Sequence, residues 1–494
     1  MAIRESFTRK IVRIFLVSNL SPIFILISIL LGLVALVVTP REEEPQIVVP
    51  FVDIMIFFPG AGSEEVEKLV STPIERRLME IDGIEYVYSM SKPGVSIITA
   101  RFRVGEDKEK SLVKLYDKLI SSQHMLPPGV SGWSIKGVSI DDIPIITITL
   151  WSENRDDHEL RRIADELIDK LQQIKNASTT YTVGGRKREI RIILNPEAML
   201  AQRVTPLEVM KSIQSFNSNL IAGEFSQDGK EIVVESGPYI KSVEELENLI
   251  VGVSNKRPIY LKYIATIVDG PEEVNSYTRI GFGPAFYLRN SEVNPDRSRE
   301  YPAVTIAVAK VKGSNAVHVA EGIIEKVNEL KKTIIPNDVH LLITRNYGET
   351  ANEKVNELIK HLFIAIITII VLIGLTLGWK EAAIVALAVP VTLAITLFGD
   401  LILGYTINRV TLFALILSLG LLVDDPIVDV ENIHRHFKLK LDPPLEATLT
   451  AVDEVRPPTI IATFAVIIAI LPMYFVTGMM GPYMRPIPFN VSLA

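Results

Sequence analysis

Two adjacent carboxylates, Asp424 and Asp425, stand inside an otherwise apolar run, VTLFALILSLGLLVDDPIVDVENIHRH, from Val410 to His436. No residue from Val410 to Val423 is charged, and after the pair Pro426, Ile427 and Val428 resume the apolar character until Asp429 and Glu431. One helical crossing of a bilayer core takes about 20 apolar residues, and this stretch reaches that length only with the aspartates inside the span. A carboxylate there costs roughly 2.5–3.5 kcal/mol on insertion scales, so it must be paired, hydrated or protonated. Helix neighbours point about 100° apart, so the two acids stay close but face different surroundings. In a low dielectric such a pair resists double ionisation, and one member is favoured to hold a proton. A group that loads a proton on one side of a membrane and releases it on the other can draw on the gradient, whose potential term is about 2.3 kcal/mol per charge per 100 mV. Proton binding and transfer is the chemistry to expect. The plain alternative is an ordinary helix end at the headgroup level.

The other polar residues near apolar runs suggest less. Asp400, in LFGDLILGY, reads as a solvated helix end near the outer interface. Asp429, Glu431 and Asn432 read as residues that cap or anchor their helix. His434 and His436 are spaced i, i+2 and do not share a helix face, so no metal site is expected from them. Gly281 and Gly283 lack the strand-to-helix context of a dinucleotide cradle, and Gly60 and Gly62 read as turn glycines. The chain has no cysteine, and its 11 methionines form no ladder. No cofactor is expected.

The elements that must position the aspartates follow from composition and hydropathy. The 494 residues are 48% hydrophobic yet 22% charged, with a net charge of −7. That combination means long apolar segments joined to a large soluble part, and the mild acidity gives no reason to expect nucleic acid as a partner. Arg4, Arg9, Lys10 and Arg13 precede an uncharged run from Ile14 to Thr39, too long for a cleaved signal and read as a retained membrane anchor with a cytoplasmic leader. Arg41 to about Glu357 is soluble in character. Apolar runs return at Leu362 to Trp379, Ala382 to Gly399, Val410 to Val428 (the run with the two aspartates) and Pro457 to Met484, which with the anchor makes five crossings. Counting from the leader puts Lys380 inside, the Gly404 turn outside, and the loop from His434 to Arg456 inside with Arg435, Lys438, Lys440 and Arg456. The large domain is then periplasmic. Pro390, Pro426 and Pro472 are candidate kinks.

Within the soluble part, Val48 to Phe58 alternates as a strand, and Ser63 to Met79 has helical spacing with Ser63 as its N-cap. Strands at Ile84 to Ser91 and Val95 to Val104, then a helix at Glu109 to Ser121, complete one β-α-β-β-α cycle. A second holds strand Ile143 to Trp151, helix Asp157 to Lys175 and strands Ala177 to Val183 and Arg188 to Leu194. A turn-rich stretch, Asn219 to Val268, reads as an insertion. Strand Ala303 to Lys310, helix Ala316 to Lys332 and strand Val339 to Thr344 then complete the second unit. The expected fold class is an α-helical membrane bundle plus an α+β domain of ferredoxin-like subdomains. Ile145, Ile146, Thr147, Trp151 and Val183 are read as strand core and not as a ligand pocket.

Three stretches support a family resemblance. Leu403 to Phe437, LGYTINRVTLFALILSLGLLVDDPIVDVENIHRHF, resembles the fourth transmembrane helix of the resistance–nodulation–division (RND) efflux pumps, in particular the acriflavine-resistance-type permeases of the hydrophobe/amphiphile branch. Phe57 to Ser91 is similar to the start of their first porter subdomain. Leu194 to Phe225 is similar to the lead into their docking insertion. The resemblance implies residues 1–40 as leader and first transmembrane helix, 41–138 as the first porter subdomain, and 139–186 with 276–350 as the second. It implies 187–275 as a docking-type insertion, and 351–494 as transmembrane helices 2–5 with the start of a sixth. That is half of such a pump, so a C-terminal half is needed for a full transporter.

The resemblance implies a proton-driven exporter of drug-like amphiphilic small molecules in the bacterial inner membrane. Asp424 and Asp425 would bind and release the driving proton against a lysine of the second half. The implied partners are membrane lipid, two more copies in a homotrimer, a periplasmic adaptor protein and an outer-membrane channel. Other readings remain open: an RND-type exporter of metal ions, a helper of lipid or protein export, an inactive half-transporter, or an intramembrane aspartyl protease. The last needs two acids face to face, whereas Asp424 and Asp425 are sequence neighbours that diverge.

Overall fold

The computed structural model describes residues 6–45, 47–138, 142–218, 220–236, 239–254, 256–289 and 295–494. The chain opens with α1 (Phe7–Val17) and, after a break at Ser18 and Asn19, α2 (Leu20–Val38). The single anchor expected from Ile14 is therefore two helices, and the membrane-length one begins at Leu20. The charges of α1 keep it out of the span. Arg9 and Arg13 donate to Glu446 at 2.5 and 3.0 Å, and Ser6 and Thr8 both bond Asp453.

The first soluble unit runs β1 (Phe51–Phe57), α3 (Ser63–Val66), α4 (Thr72–Met79), β2 (Ile84–Lys92), β3 (Val95–Phe102), α5 (Lys108–Ser121) and β4 (Gly132–Val138). Its antiparallel sheet has the order β2-β3-β1-β4. Val52, Ile54 and Ile56, one face of β1 by the period of two, are buried against Ile74, Leu78, Leu115 and Leu119 of the helices. Between α3 and α4 the helix widens into a π turn, Glu67–Ser71. Pro73 accounts for it, since proline donates no N–H and its ring crowds the carbonyl four residues back. The expected N-cap, Ser63, is instead the first helical residue: Gly62 is the cap, and its N–H donates to Glu65 at 2.9 Å.

The second unit comprises β5 (Ile146–Trp151), α6 (Asp157–Leu171) and β6 (Ala177–Val183). An inserted lobe follows: β7 (Arg188–Leu194), α7 (Pro196–Gln202), α8 (Pro206–Phe216), β8 (Leu220–Gln227), β9 (Lys230–Ser236), α9 (Val243–Glu247), β10 (Ile250–Ser254), β11 (Arg257–Tyr260) and β12 (Ala265–Pro271). The unit resumes with β13 (Arg279–Ile280), α10 (Pro284–Arg289), β14 (Tyr301–Lys310), α11 (Ala316–Leu330) and β15 (His340–Asn346). Its sheet runs β13-β14-β5-β15, with β6 also paired to β14. The strand Arg188 to Leu194 does not join that sheet as expected; it pairs with β12 inside the lobe. Gly184 and Gly185, both left-handed, turn the chain away after β6, and a Cβ on Gly185 would lie 2.8 Å from the Asp157 carbonyl oxygen. Ile145, Ile146 and Trp151 are buried as expected, but Val183 is exposed.

The corner after Gly185 is held by Arg186, which grips Asp157 in the first turn of α6 at 2.7–3.0 Å and keeps its carboxyl below the usual range. Both side chains are about three-quarters buried, and Asp157→Asn is expected to cost about 1–2 kcal/mol. A carboxylate whose folded value is depressed stabilises above its unfolded value of roughly 3.9 and loses that contribution as pH falls through the folded one. The melting-temperature gap between wild type and variant should be steady from about pH 5 to 8, then close below about pH 4. Thermal melts across that series check it.

The chain then returns to long helices: α12 (Tyr347–Thr376), α13 (Trp379–Ile402), α14 (Arg409–Leu422), α15 (Asp424–Leu439), α16 (Pro444–Ile470), α17 (Met480–Met484) and α18 (Pro486–Leu493). Among the described residues five segments are long and apolar enough to cross a membrane: Leu20–Val38, Tyr347–Thr376, Trp379–Ile402, Arg409–Leu439 and Pro444–Phe475. Two boundaries differ from expectation. α12 starts at Tyr347, well before the apolar run. The loop expected from His434 to Arg456 is mostly helix, because α15 runs to Leu439 and α16 starts at Pro444, so Pro457 and Pro458 fall inside a helix. α2 packs directly on α13, where a Cβ on Gly32 would lie 2.4 Å from that of Ala394, an approach open only to a small residue. The exit of α2 is tied to the soluble part by a buried ion pair, Glu42 with Lys310 of β14 at 2.7 Å.

Candidate functional site

Asp424 and Asp425 begin α15, just past a one-residue interruption of the helix at Val423. Pro426 explains the interruption, since it leaves the Leu422 carbonyl without a donor and crowds it. The break thus sits beside the two acids, where an apolar helix would otherwise run through.

From there the acids part company. Asp425, Asp429, Asn432 and His436, spaced i, i+4, i+7 and i+11, lie on one stripe that meets α16. Thr463 donates to Asp425 at 3.4 Å. Arg456 forms an ion pair with Asp429. Asn432 donates to the Ala451 carbonyl at 2.7 Å and to Glu454 at 3.1 Å, and His436 reaches Glu454 at 3.0 Å. Asp429 and Asn432 therefore anchor their helix as the sequence predicts, and they do so sideways, to a neighbouring helix. His434 turns to Glu381 of α13 at 2.8 Å, away from His436. Asp424 lies on the other stripe, with Val428, Glu431 and Arg435, all exposed. It makes no hydrogen bond or ion pair among the described residues. The apolar stripe continues outward through Phe413, Leu417 and Leu421, also exposed.

One acid is thus bonded inside this chain, and the other faces outward from an uncovered side of the bundle. Such an arrangement can exchange a proton at Asp424 while Asp425 stays linked to α16. Asp429 extends the acidic stripe by one turn. One of its carboxylate oxygens is bonded to Arg456, and the other is buried without a partner among the described residues.

Sequence reasoning missed two partners. Arg456 reads as a loop cation in the sequence but lies in α16, where its i, i+7 spacing from Thr463 puts both on the face toward α15. Asp400, expected to be a solvated helix end, is instead 2% exposed against Asn490 of α18. Its apolar neighbours on both sides were the available signal.

A profile of the AcrB/AcrD/AcrF family matches residues 12–494, from within α1 to the last residue. The chain belongs to that family of RND permeases. It is 26% identical over 468 residues to multidrug resistance protein MdtC of Pectobacterium atrosepticum, covering 94% of this chain and 44% of the relative. The figures for MdtC of Citrobacter koseri are 26% over 489 residues, 98% and 46%. MdtC of Salmonella arizonae is likewise 26% identical over 468 residues, 94% and 44%. The chain spans about half the length of these curated relatives. Membership accounts for the helical apolar segments beside a mixed α+β part.

Proposed function

We propose that this RND chain is the N-terminal half of a proton-driven exporter of drug-like amphiphilic molecules, with Asp424 and Asp425 as its proton relay. The observation that carries the reading is the acid pair at a helix break inside a membrane-length segment, with Asp424 on a side that none of the described residues covers. A charge-bearing face left open to lipid is costly, so a further helical half is expected to cover it and to supply the cation that the family resemblance assigns there. The names of the relatives, multidrug resistance proteins, support the substrate class.

The soluble part supports the same reading. In both units the strand order, β2-β3-β1-β4 and β6-β14-β5-β15, is that of a ferredoxin-like fold, consistent with porter subdomains at 41–138 and at 139–186 with 276–350. The lobe at 187–275 is the docking-type insertion. Its hairpin β8–β9, turned at Asp228 and Gly229 in left-handed conformations, exposes Phe225, Ile232, Val233 and Val234. An exposed apolar hairpin of this kind needs a partner surface, which a neighbouring copy in a homotrimer would supply. The inner membrane, the periplasmic placement of the soluble part, the adaptor and the outer-membrane channel belong to this proposal.

The test is extrusion of a fluorescent amphiphilic dye by cells expressing the native gene together with its neighbouring genes. Extrusion should stop when a protonophore collapses the gradient. No extrusion, or extrusion that continues after collapse, would overturn the proposal.

A further inference from the structure

Asp400 sits two residues before the end of α13, and Asn490 lies in α18. Their exposures are 2% and 0%. With its amide turned so that the nitrogen faces the carboxylate, Asn490 donates to both oxygens of Asp400, at 2.7 and 3.3 Å. Turned the other way, the nitrogen donates to the main-chain carbonyl of Thr411 in α14 at 3.5 Å. The amide oxygen then faces Asp400, and that contact is a hydrogen bond only when the carboxyl carries a proton to donate.

No cation answers this acid among the described residues. α2, packed on α13, has no titratable residue from Leu20 to Val38, and α18 has none from Pro486 to Leu493. α14 carries only Arg409, which is engaged by Glu44. The titratable residues of α12 are Tyr347, Glu349, Glu353, Lys354, Glu357, Lys360 and His361, none of them bonded to Asp400. α15 ties to α13 near the latter's start, through His434 and Glu381, and its other titratable residues, Asp424, Asp425, Asp429, Glu431, Arg435, His436 and Lys438, make no bond to Asp400. On the turn after α13, Tyr405 donates its N–H to the Asp400 carbonyl at 2.9 Å, with Tyr474 and Arg485 beyond it. A cavity of about 520 Å³ lined by Leu401, Tyr405, Asn408, Arg485 and Pro486 lies beside the pair, its wall including the residue after Asp400 and the residue one helical turn before Asn490.

A buried carboxyl with no counter-charge, one reversible amide partner and adjoining solvent is a proton-binding arrangement. We propose that Asp400 and Asn490 form a second proton-binding site, separate from Asp424 and Asp425, in which the Asn490 amide turns over with the charge of Asp400. Ionised Asp400 takes both hydrogen bonds from Asn490, and α18 is held to α13. Protonated Asp400 donates to the amide oxygen, and the amide nitrogen passes to the Thr411 carbonyl, linking α18 to α14. The proton comes from water in the cavity and returns to it. No other bond is made or broken.

The inference does not rest on what the protein transports, and its test needs no transport. Infrared spectra of the purified protein in lipid nanodiscs, taken across a pH series, report protonated carboxyls by their C=O stretch. Asp424→Asn with Asp425→Asn silences the first pair. On that background a titrating band is expected to remain, and adding Asp400→Asn should lower its amplitude by one carboxyl, read as a difference band between the two variants. A band of unchanged amplitude in the triple variant, or no titrating band before it, overturns the proposal. Should the triple variant fail to fold, wild-type protein carrying side-chain ¹³C-aspartate serves with Asn490→Ala. The label must lower the frequency of a titrating band, and the alanine must shift that band in both frequency and midpoint. A band indifferent to Asn490→Ala overturns the proposal equally.

Discussion

Asparagine in place of Asp425 is expected to lower gradient-driven dye efflux by roughly 100-fold or more, the scale on which losing a positioned proton carrier is felt. The substitution keeps the shape and a hydrogen-bonding group for Thr463, so the fold should persist and only proton binding be removed. Asp424→Asn should give a loss of the same order at little cost to the stability of this chain, because Asp424 makes no hydrogen bond or ion pair among the described residues. Thr463→Val separates position from charge. Its bond to Asp425 is long, 3.4 Å, so a loss of less than about tenfold is expected, on the scale of one weak hydrogen bond. Efflux rates at equal protein level decide the matter. Wild-type rates in either aspartate variant would remove the pair from the proton path.

Arg456→Ala carries the largest expected effect on stability. Asp429 keeps only 14% of its side chain exposed, and one carboxylate oxygen is already buried without a partner among the described residues. Taking away the guanidinium leaves an uncompensated charge between two helices. Breaking a buried pair from one side costs 3–5 kcal/mol, and with Arg456 itself 38% exposed about 2–4 kcal/mol is expected here. Removing both partners should restore most of that loss, because the cost lies in the stranded carboxylate and not in the missing attraction. Thermal unfolding in detergent of Arg456→Ala, Asp429→Ala and the double variant forms the cycle. A double variant no more stable than Arg456→Ala would show that the pair does not act as a unit.

What could be read from the sequence and what could not divide along physical lines. The long spans were legible because a bilayer needs a length of apolar residues, and length is a one-dimensional property. The β-α-β-β-α cycles were legible because periods of two and 3.6 alternate along the chain. The break at Ser18 and Asn19 was not, because both residues are uncharged and two polar residues are too few to divide so long an uncharged run. The departure of Arg188 to Leu194 from the second sheet was hidden too: its pattern is that of any strand, and only the paired glycines before it mark the change of direction. In the candidate site, Asp424 and Asp425 stood out through cost alone. Their separation onto two stripes followed from helix geometry, but which stripe finds a partner depends on α16. Asp400 was misjudged because depth in a bundle is set by what packs alongside, and Asn490 arrives from the far end of the chain.

The junction of β15 with α12 has a mechanical meaning. Asn346 is at once the last residue of the strand and the N-cap of the helix, accepting from the Glu349 N–H at 3.1 Å. The next residue, Tyr347, donates its N–H to the Ile145 carbonyl at 2.7 Å. Gly348 packs so tightly on α11 that a Cβ would lie 2.7 Å from that of Ala320. No loop separates sheet from helix. The 30 residues of α12 span about 45 Å at 1.5 Å each, against roughly 30 Å of hydrocarbon, so about a third of the rod stands clear of the membrane, braced on the sheet. The joint has no backlash. An axial displacement of α12 reaches β15 at full stroke and moves the hydrogen-bonded neighbour β5 with it.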